Sequence, residues 1–450
     1  MIEISVIIPT HNRAELVARH LRLLAEQSLD SKRFEVIVSA DGCMDGTAEV
    51  VRGLKVPYRL KAVEKNPGTG AAGARNRGAA VAEAEILLFL DDDMEPKSGL
   101  LEAHLQAHRV LPNSVVLGYY PMYPPQKGES VLTKYARLWW AERLEARSKP
   151  DYRFSFYDLC TGNVSLSKTV FENAGGFEEA ISDLGSGEDY ELGYRLIRQR
   201  VPFRFARNAE SVHHSRVTLA MTLRRMNQEG FGQAIMARKH PELYWQFNVS
   251  RLSRLSGSTL LRPLWKAVWK YPALTEAPIA GVRQVAQFSL AIHAIAMFRR
   301  CHQLLKAHAY WRGVVAALGS LSVWERLAQD APLEPPDCRE VDFDVSRDLD
   351  NLEEFLKLQG PADAIRVYAS GEPVGRIAPS AGYEPFTAPY LKSVLIAQFG
   401  FVLLGELVTR RRQSKTCSSD EVITARSEAR MLGETAEQVN IRSGGLNWRW

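Results

Sequence analysis

Ile86-Leu-Leu-Phe-Leu90 runs directly into Asp91-Asp92-Asp93, and this stretch decides the fold class of the chain. Five consecutive apolar residues predict a strand that is buried on both faces, as in a parallel sheet covered by helices. Carboxylates at the carboxyl end of such a strand point into the crevice where open α/β sheets bind ligands. Three adjacent anions repel one another, and Mg²⁺ or Mn²⁺, which suit oxygen ligands and phosphates, would relieve that repulsion. The alternative is a solvated acidic turn before a helix that starts near Pro96.

Strand and helix alternate on both sides of this stretch. Strands are predicted over 4–8, 34–39, 58–63 and 114–119, and helices over 14–27, 47–54, 71–84 and 98–110. This βαβ alternation predicts a mostly parallel, Rossmann-type sheet flanked by helices, the architecture of a nucleotide-binding layer.

The rest of the chain divides by composition. Residues 1–118 are the predicted nucleotide-binding half of the first domain, and 119–217 mix short helices and strands into its second half. Residues 218–330 are predicted to form a basic, amphipathic helical extension. A Pro- and acid-rich linker then leads into a small β-containing module over 331–410, and 411–450 form a polar tail that is predicted to be loosely ordered.

Composition places the protein among soluble globular chains. Hydrophobic residues make up 46% and charged residues 24% of its 450 residues, which is enough for two or three domains. Its five cysteines are far apart and have no C-x-x-C spacing, which argues against a disulfide framework and a zinc site. The amino terminus enters a strand with no signal-peptide pattern. A cytoplasmic location is therefore expected.

Basic residues are concentrated in one region. Residues 201–312 contain 17 Lys and Arg against 4 Glu and no Asp. Two segments there, Leu260–Tyr271 and Gln284–Arg300, combine aromatic or aliphatic residues with Lys and Arg, as interfacial helices do. One hypothesis is peripheral attachment to an anionic membrane surface through 218–312; the alternative is a helical cap whose cations are solvated. No nucleic-acid-binding module is visible, so nucleic acid is not expected as a partner.

Three loops carry residues suited to nucleotide binding. Pro9-Thr10-His11-Asn12-Arg13 ends the first strand, where polar side chains and helix N–H groups make either an anion site or a plain helix cap. Asp41 ends the second strand and could accept the N3–H of a uracil base. The Gly-rich loop Asn66–Gly78 includes Gly73, Arg75, Asn76 and Arg77, but it lacks the Gly-Lys-Ser/Thr of a P-loop.

Two later segments carry acid–base candidates. Gly187-Glu188-Asp189 opens a helix, where carboxylates gain from the helix dipole and a first-turn Asp can also act as general base. His213-His214 follow the next predicted strand, and a neutral imidazole is a competent metal ligand.

Taken together, these segments resemble a known family in order and spacing. They are Pro9–Arg13, Asp41-Gly, Asp45-Gly-Thr, Ala74-Arg-Asn-Arg-Gly78, Leu90-Asp-Asp-Asp-Met, Thr161-Gly-Asn-Val-Ser and Gly187-Glu-Asp-Tyr-Glu-Leu. The pattern is similar to that of the family 2 glycosyltransferases, which have the GT-A fold. The resemblance covers about residues 3 to 216.

The resemblance implies inverting transfer of a sugar from a nucleotide diphosphate donor, with Mn²⁺ or Mg²⁺ as cofactor. Asp91 and Asp93 match the family's Asp-x-Asp, the first touching the nucleotide and the second the metal, with Asp92 between them. His214, or His213, would be a further metal ligand. The implied roles of the remaining residues are a nucleotide pocket at Pro9, Thr10, Asn12 and Arg13, base recognition by Asp41, and catalysis by Asp189 with Glu188 beside it.

One departure concerns the donor. The family commonly has Asp-Asp-Gly-Ser after the second strand, where this chain has Ala40-Asp41-Gly42-Cys43. UDP is still the favoured nucleotide, and the acceptor is expected to be a carbohydrate or lipid-linked hydroxyl in bacterial polysaccharide or glycolipid synthesis. The rival functions are a non-catalytic scaffold that retains the fold and a sugar nucleotidylyltransferase. The latter would need a basic Gly-rich loop after Ile8, which this chain lacks.

Overall fold

The structure is a computed structural model that describes residues 1–182, 187–215, 217–250 and 269–413. It forms two compact units. The first comprises residues 1–148 and 154–331, and the second comprises residues 149–153 together with the chain from 332 onward.

The first unit carries the alternating pattern that the sequence predicts. Its elements are β1 Ile4–Thr10, α1 Ala14–Leu24, β2 Phe34–Asp41, α2 Thr47–Gly53, β3 Arg59–Lys65, α3 Gly70–Ala80, β4 Ile86–Leu90, β5 Met94–Pro96, α4 Leu100–Val110, β6 Val115–Tyr119, α5 Val131–Arg147, β7 Asn163–Ser167, α6 Lys168–Asn173, α7 Glu179–Ser182, α8 Glu188–Arg198, β8 Phe203–His213, α9 Leu219–Lys239, α10 Glu276–Ala291, α11 Ile295–Leu318 and α12 Leu321–Asp330.

Eight strands form one sheet in the order β3-β2-β1-β4-β7-β6-β8-β5. The pairs β1–β2, β2–β3, β1–β4 and β6–β8 are parallel, and β4–β7, β6–β7 and β5–β8 are antiparallel. The mostly parallel sheet flanked by helices confirms the predicted α/β class. Because β1, β2 and β4 are parallel neighbours, their carboxyl ends meet at one edge of the sheet.

The centre of the sheet is closely covered by α3. Strands β1 and β2 are buried along nearly their whole length, as apolar central strands are expected to be. Helix α3 is rich in Ala and Gly, and a Cβ on Gly78 would lie 2.5 Å from Cγ2 of Ile7. Only a residue without a side chain lets the helix lie this close to β1, and this packing places the arginines of α3 near the sheet edge.

Two strands of this sheet were missed by the sequence analysis, the three-residue β5 and the polar β7. Strand β7 contains Asn163 and Ser165 in its buried interior, so it lacks an apolar run. Its polar groups are satisfied by helix α4, where His104 is 2.8 Å from both Asn163 Oδ1 and Ser165 Oγ. Burial lowers the pKa of His104 to about 3, so this network is neutral at physiological pH.

Helices α9 to α12 form the predicted helical extension. Buried Leu223 of α9 packs in one cluster with Ala286 of α10 and with Phe298, Cys301 and Leu305 of α11. Most of the predicted interfacial segment 260–271 lies outside the described residues.

The second unit contains a three-stranded sheet in the order β11-β10-β9, which agrees with the predicted small β-containing module. Its elements are β9 Glu340–Asp344, α13 Val345–Asp348, α14 Leu352–Gln359, β10 Ala364–Ala369, β11 Glu372–Ile377 and α15 Ala388–Gln413. Within the described residues, the segment Ala388–Glu406 of α15 is the one long and apolar enough to cross a membrane by length and composition. One side of it is in this unit's core, where Leu391 and Leu395 are fully buried. Of the predicted loosely ordered tail, 414–450 lie outside the described residues.

Candidate functional site

The three aspartates after β4 face two different environments. Asp92 is buried, and its carboxylate accepts hydrogen bonds from Thr10 Oγ1 at 2.7 Å and from Arg13 Nη1 at 2.5 Å. Asp91 and Asp93 flank it with side chains that are 32% and 27% exposed. Asp92 therefore joins the end of β4 to the end of β1, while its two neighbours are left accessible.

Asp93 lies beside a histidine from the adjacent strand β8. Its Oδ2 is 3.7 Å from Nε2 of His213 and 3.8 Å from Nη1 of Arg13. Burial by itself would raise the pKa of Asp93, but the hydrogen bond and charge of His213, followed by the charge of Arg13, outweigh it and lower that pKa. Asp93 is therefore an anion over the physiological pH range.

The neighbouring His214 faces a different carboxylate. Its Nε2 is 2.7 Å from Oε2 of Glu95, a residue that also pairs with Arg19. Of the two histidines named from the sequence, His213 is thus the one beside the Asp-x-Asp aspartates. We therefore propose His213, and not His214, as the histidine ligand of the metal.

The donor set at this edge fits a hard divalent cation. No group of three His, Cys, Asp or Glu in the described part of the chain is already arranged to hold a metal ion. Asp91, Asp93 and His213 nevertheless supply accessible carboxylate oxygens and an imidazole, and Mg²⁺-type cations typically take only one or two protein carboxylates with substrate phosphates as further ligands. The Oδ1 of Asp91 accepts a hydrogen bond from Arg75 Nη2 at 2.8 Å. Its Oδ2 faces Gly162, where even a Cβ would lie 3.6 Å away, so the missing side chain leaves this oxygen open to a cation.

Arg75 lies at the centre of the acidic cluster. Its guanidinium is buried and contacts Glu188 Oε1 at 3.1 Å and Asp189 Oδ1 at 3.8 Å, in addition to Asp91. Burial on its own would lower the pKa of Arg75, but the charges of these three carboxylates raise it above its ordinary value. Arg75 therefore holds the end of β4 against the first turn of α8, and its predicted contact with the donor stays a prediction.

Asp189 is a carboxylate with a strongly raised pKa. Burial first, and then the negative charge of Glu188, raise the pKa of Asp189 to about 7, while Arg75 opposes the rise. Thr161 fixes its orientation, because its hydroxyl donates to Oδ1 at 2.9 Å and its backbone N–H to Oδ2 at 3.2 Å. A carboxylate with a pKa close to the working pH is suited to accept a proton as a general base.

Residues 5–175 match the model of a protein family described as "Glycosyl transferase family 2". This chain carries a family 2 glycosyltransferase domain.

Two curated relatives are similar to the region that contains this family 2 domain. Validoxylamine A glucosyltransferase of Streptomyces hygroscopicus subsp. jinggangensis is 34% identical over 275 residues, 54% of this chain and 63% of that protein. Chondroitin synthase of Escherichia coli is 28% identical over 237 residues, 47% of this chain and 34% of that protein. The chain thus spans less than two thirds of the length of these relatives. The solved structure of the mannosyltransferase PcManGT from Pyrobaculum calidifontis, in complex with GDP-Man and Mn²⁺, has a TM-score of 0.44 and 19% identity and covers 70% of this chain and 87% of that one.

Asp41 of the family 2 domain is held by the start of α3. Its carboxylate accepts the backbone N–H groups of Thr69 at 2.9 Å and Gly70 at 2.7 Å, and it is paired with Arg77. A Cβ on Gly68 would lie 2.7 Å from Oδ2, so the loop can approach the carboxylate only with glycine there. The Asp41 carboxylate is 10% exposed, which leaves a narrow accessible surface that a nucleobase could contact.

The other residues named from the sequence lie around this edge in different settings. Pro9 and Thr10 end β1, and exposed Asn12, with a left-handed φ of 52°, accepts the N–H of Met44 at 2.7 Å. Gly73 is buried within α3. Asn76 of α3 contacts the segment just before α7, donating to the carbonyl of Phe177 and accepting its N–H, both at 2.9 Å.

Sequence reasoning missed two supporting residues of the family 2 domain. Thr161 was quoted within a motif without a role, and Arg77 was seen only as a cation in a Gly-rich loop. The side chain that orients Asp189 comes from the chain just before β7, 28 residues away in sequence. Only the antiparallel pairing of β7 with β4 brings Thr161 to this edge.

Proposed function

We propose that the chain is an inverting glycosyltransferase that moves a sugar from a nucleotide diphosphate donor to a hydroxyl group of an acceptor. The observation that carries the proposal is the cluster of Asp91, Arg75, Glu188 and Asp189, which joins the end of β4 to the start of α8. The family 2 match and the relatives named as a glucosyltransferase and a chondroitin synthase support it.

In the proposed reaction, Asp189 is the base. Its carboxylate takes the proton of the acceptor hydroxyl as that oxygen attacks C1 of the sugar, and the bond from C1 to the diphosphate oxygen breaks in the same step. The products are the new glycoside with inverted configuration and the nucleoside diphosphate. Thr161 holds Asp189 in one orientation, and Glu188 keeps its pKa close to neutral.

Asp91 and Asp93, with His213, would hold Mn²⁺ or Mg²⁺. When bound, the cation would supply positive charge beside the departing diphosphate, which is where negative charge develops. Asp92 keeps the supporting role that its contacts with Thr10 and Arg13 give it.

UDP is the proposed nucleotide of the donor. Its base would lie at Asp41, next to Pro9, Thr10 and the exposed side chain of Asn12. Because Asp41 already accepts two backbone N–H groups and pairs with Arg77, its oxygens are held rigidly in place for a further donor such as the N3–H of uracil.

The acceptor would bind on the α8 side of Asp189. Tyr190 of α8 and Glu229 and Gln233 of α9 lie together there, with no open cavity between them in the part of the chain that the structure describes. Gln233 donates to Glu229 at 2.9 Å and accepts the hydroxyl of Tyr310 at 2.7 Å, and burial raises the pKa of Glu229 to about 7. These polar groups suit a carbohydrate or lipid-linked acceptor, and the latter would place the enzyme in the cytoplasm at the inner face of the cell membrane. Attachment there through the basic helices of 218–312 belongs to the same proposal.

Calorimetric titration of UDP, GDP and dTDP into the purified chain, with Mn²⁺ and with EDTA, tests the donor site. We expect UDP to bind in Mn²⁺ and to bind at least tenfold more weakly in EDTA. If a folded sample binds none of the three nucleotides, the chain is a non-catalytic member of the fold and the proposal is wrong.

Asp189→Asn separates chemistry from binding. The variant should lose transfer while its affinity for UDP changes less than about threefold, because Asp189 contacts the acceptor and not the nucleotide in this mechanism. Wild-type turnover in Asp189→Asn would overturn the assignment of the base.

A further inference from the structure

Helices α10 and α11 form a hairpin whose closed end is apolar on its outer surface. Val285 and Phe288 of α10 and Ile292, which directly follows α10, recur at helical spacing and are 45%, 66% and 57% exposed. At the start of α11, Ile295 and Met297 are 40% and 49% exposed. These side chains surround the three-residue turn between the helices, and we name the set the hairpin tip.

The two helices of the hairpin also carry apolar residues that face the core, apart from those of the hairpin tip. A separate set on the same helices, Ala286 of α10 with Phe298 and Leu305 of α11, is buried against α9. The hairpin therefore has two apolar sides, one of which is packed in the first unit. A second, outward apolar surface of this kind marks a binding site for an apolar partner.

The charged residues of the hairpin itself that flank the tip are of one sign. Arg283, Arg299 and Arg300 are exposed beside it, and the sequence has no Asp or Glu from 277 to 324. Within the described part of the chain, no carboxylate forms an ion pair with these three arginines. The nearest preceding acid, Glu276, is paired with Arg312 at 2.8 Å. Apolar side chains that carry only cations beside them on their own hairpin are typical of the boundary between acyl chains and acidic headgroups.

We propose that the hairpin tip is the membrane-docking element of this protein, with Phe288, Ile292 and Met297 entering the headgroup–acyl boundary of an anionic bilayer. Arg283, Arg299 and Arg300 then contact lipid phosphates. The inference rests on the membrane attachment in the proposed function and narrows it from the basic region 218–312 to one hairpin.

Sedimentation with vesicles tests this on the full chain. We compare vesicles of phosphatidylcholine alone with vesicles containing about 40% phosphatidylglycerol, roughly the acidic content that gives a strong surface potential. We expect binding to the acidic vesicles only, weakened by about 30-fold in the double variant Arg299→Gln with Arg300→Gln, since each cation near such a surface contributes about a fivefold change in affinity. The pair Phe288→Ser with Met297→Ser should lower it at least tenfold.

A matched control lies on α4 of the same unit. Arg109 and Val110 are 54% and 56% exposed there, and Arg109→Gln with Val110→Ser should leave vesicle binding unchanged. Equal loss in this control, or no loss in the hairpin variants, would overturn the proposal. So would a wild-type dimer, seen by analytical ultracentrifugation, that becomes monomeric in Phe288→Ser with Met297→Ser and never binds vesicles, because the partner would then be a second copy of the chain.

Titration of UDP with Mn²⁺ into each variant keeps this test separate from that of the catalytic proposal. Hairpin variants that lose vesicle binding but retain UDP binding support the docking element. A wild-type chain that binds acidic vesicles but no nucleotide would contradict the transferase while leaving the docking element in place.

Discussion

Glu188→Gln should shift the pH dependence of the enzyme in a direction that the structure determines. In the proposed mechanism Asp189 must be ionised to accept a proton, and its pKa is raised to about 7. The negative charge of Glu188 is one cause of that high value. Removing it favours the ionised form of Asp189, so the acidic limb of the activity profile should move to lower pH.

The magnitude follows from the shared contact with Arg75. One nitrogen of that guanidinium lies 3.1 Å from the Glu188 oxygen and 3.8 Å from the Asp189 oxygen, so the two oxygens are at most about 7 Å apart. At that distance, two unit charges repel by about 0.6 kcal/mol in water and about 2.4 kcal/mol at an effective dielectric constant of about 20. Since about 1.4 kcal/mol corresponds to one pH unit, the limb should move down by about 0.4 to 1.7 pH units. Arg75, released from Glu188, acts in the same direction.

The assay is kcat/KM for the acceptor between pH 5 and 9, at saturating UDP-sugar and Mn²⁺, for wild type and Glu188→Gln. Glu172→Gln is the control, because Glu172 is 63% exposed and its nearest cation is Lys168 at 4.0 Å. An unchanged limb in Glu188→Gln, or one that moves to higher pH, would refute the electrostatic account of Asp189. A limb that moves equally in Glu172→Gln would show that overall charge is responsible.

Three further predictions concern the same edge of the sheet. Asp189→Asn should raise the melting temperature at pH 8 more than at pH 5. The folded-state pKa of Asp189 is about 7, above the ordinary value of 3.8, so the wild type loses stability as the pH rises from 3.8 to 7, and the variant does not. Differential scanning fluorimetry measures the two melting temperatures, and a pH-independent difference would contradict the prediction. Thr161→Val removes the hydroxyl that donates to Asp189 and should lower kcat about tenfold and move the acidic limb to higher pH, opposite to Glu188→Gln, because the hydrogen bond favours the ionised carboxylate. Asp92→Asn should destabilise the fold by about 1–3 kcal/mol through its buried contacts with Thr10 and Arg13, and Asp93→Asn should also lower stability near pH 7, because His213 and Arg13 hold the pKa of Asp93 below its ordinary value. Only Asp93→Asn should also weaken Mn²⁺-dependent UDP binding at least tenfold, as urea unfolding and calorimetry can measure; weakened UDP binding in Asp92→Asn alone would exchange the roles of the two aspartates.

Much of the sheet was predictable because its central strands are apolar runs. The strands over β1, β2 and β4 and the helices between them follow from periodicity and turn residues, since these strands are buried on both faces. Strand β7 could not be found in this way. Its buried polar side chains are satisfied by His104 of α4, and a residue whose partner lies about 60 positions away has no local signal.

The long helix α15 was missed for a related reason. Its apolar residues are distributed around the helix and are interrupted by Gln398, Gly400 and Gly405, so no single stripe marks a core face. Packing on the three-stranded sheet of the second unit selects which of them, such as Leu391 and Leu395, are buried.

The sequence by itself determined the class of the fold and which stretches of the chain carry the candidate residues, because strand ends and helix starts are local features that carry their carboxylates with them. It did not determine what each charged side chain contacts. The choice of Asp92 as the buried member of three adjacent aspartates, of His213 over His214, and of Arg75 as the partner of three carboxylates depends on side-chain direction and on strands distant in sequence. Charge interactions fall off over a few ångströms and depend on burial, so only the tertiary structure decides which carboxylate has a pKa near neutrality.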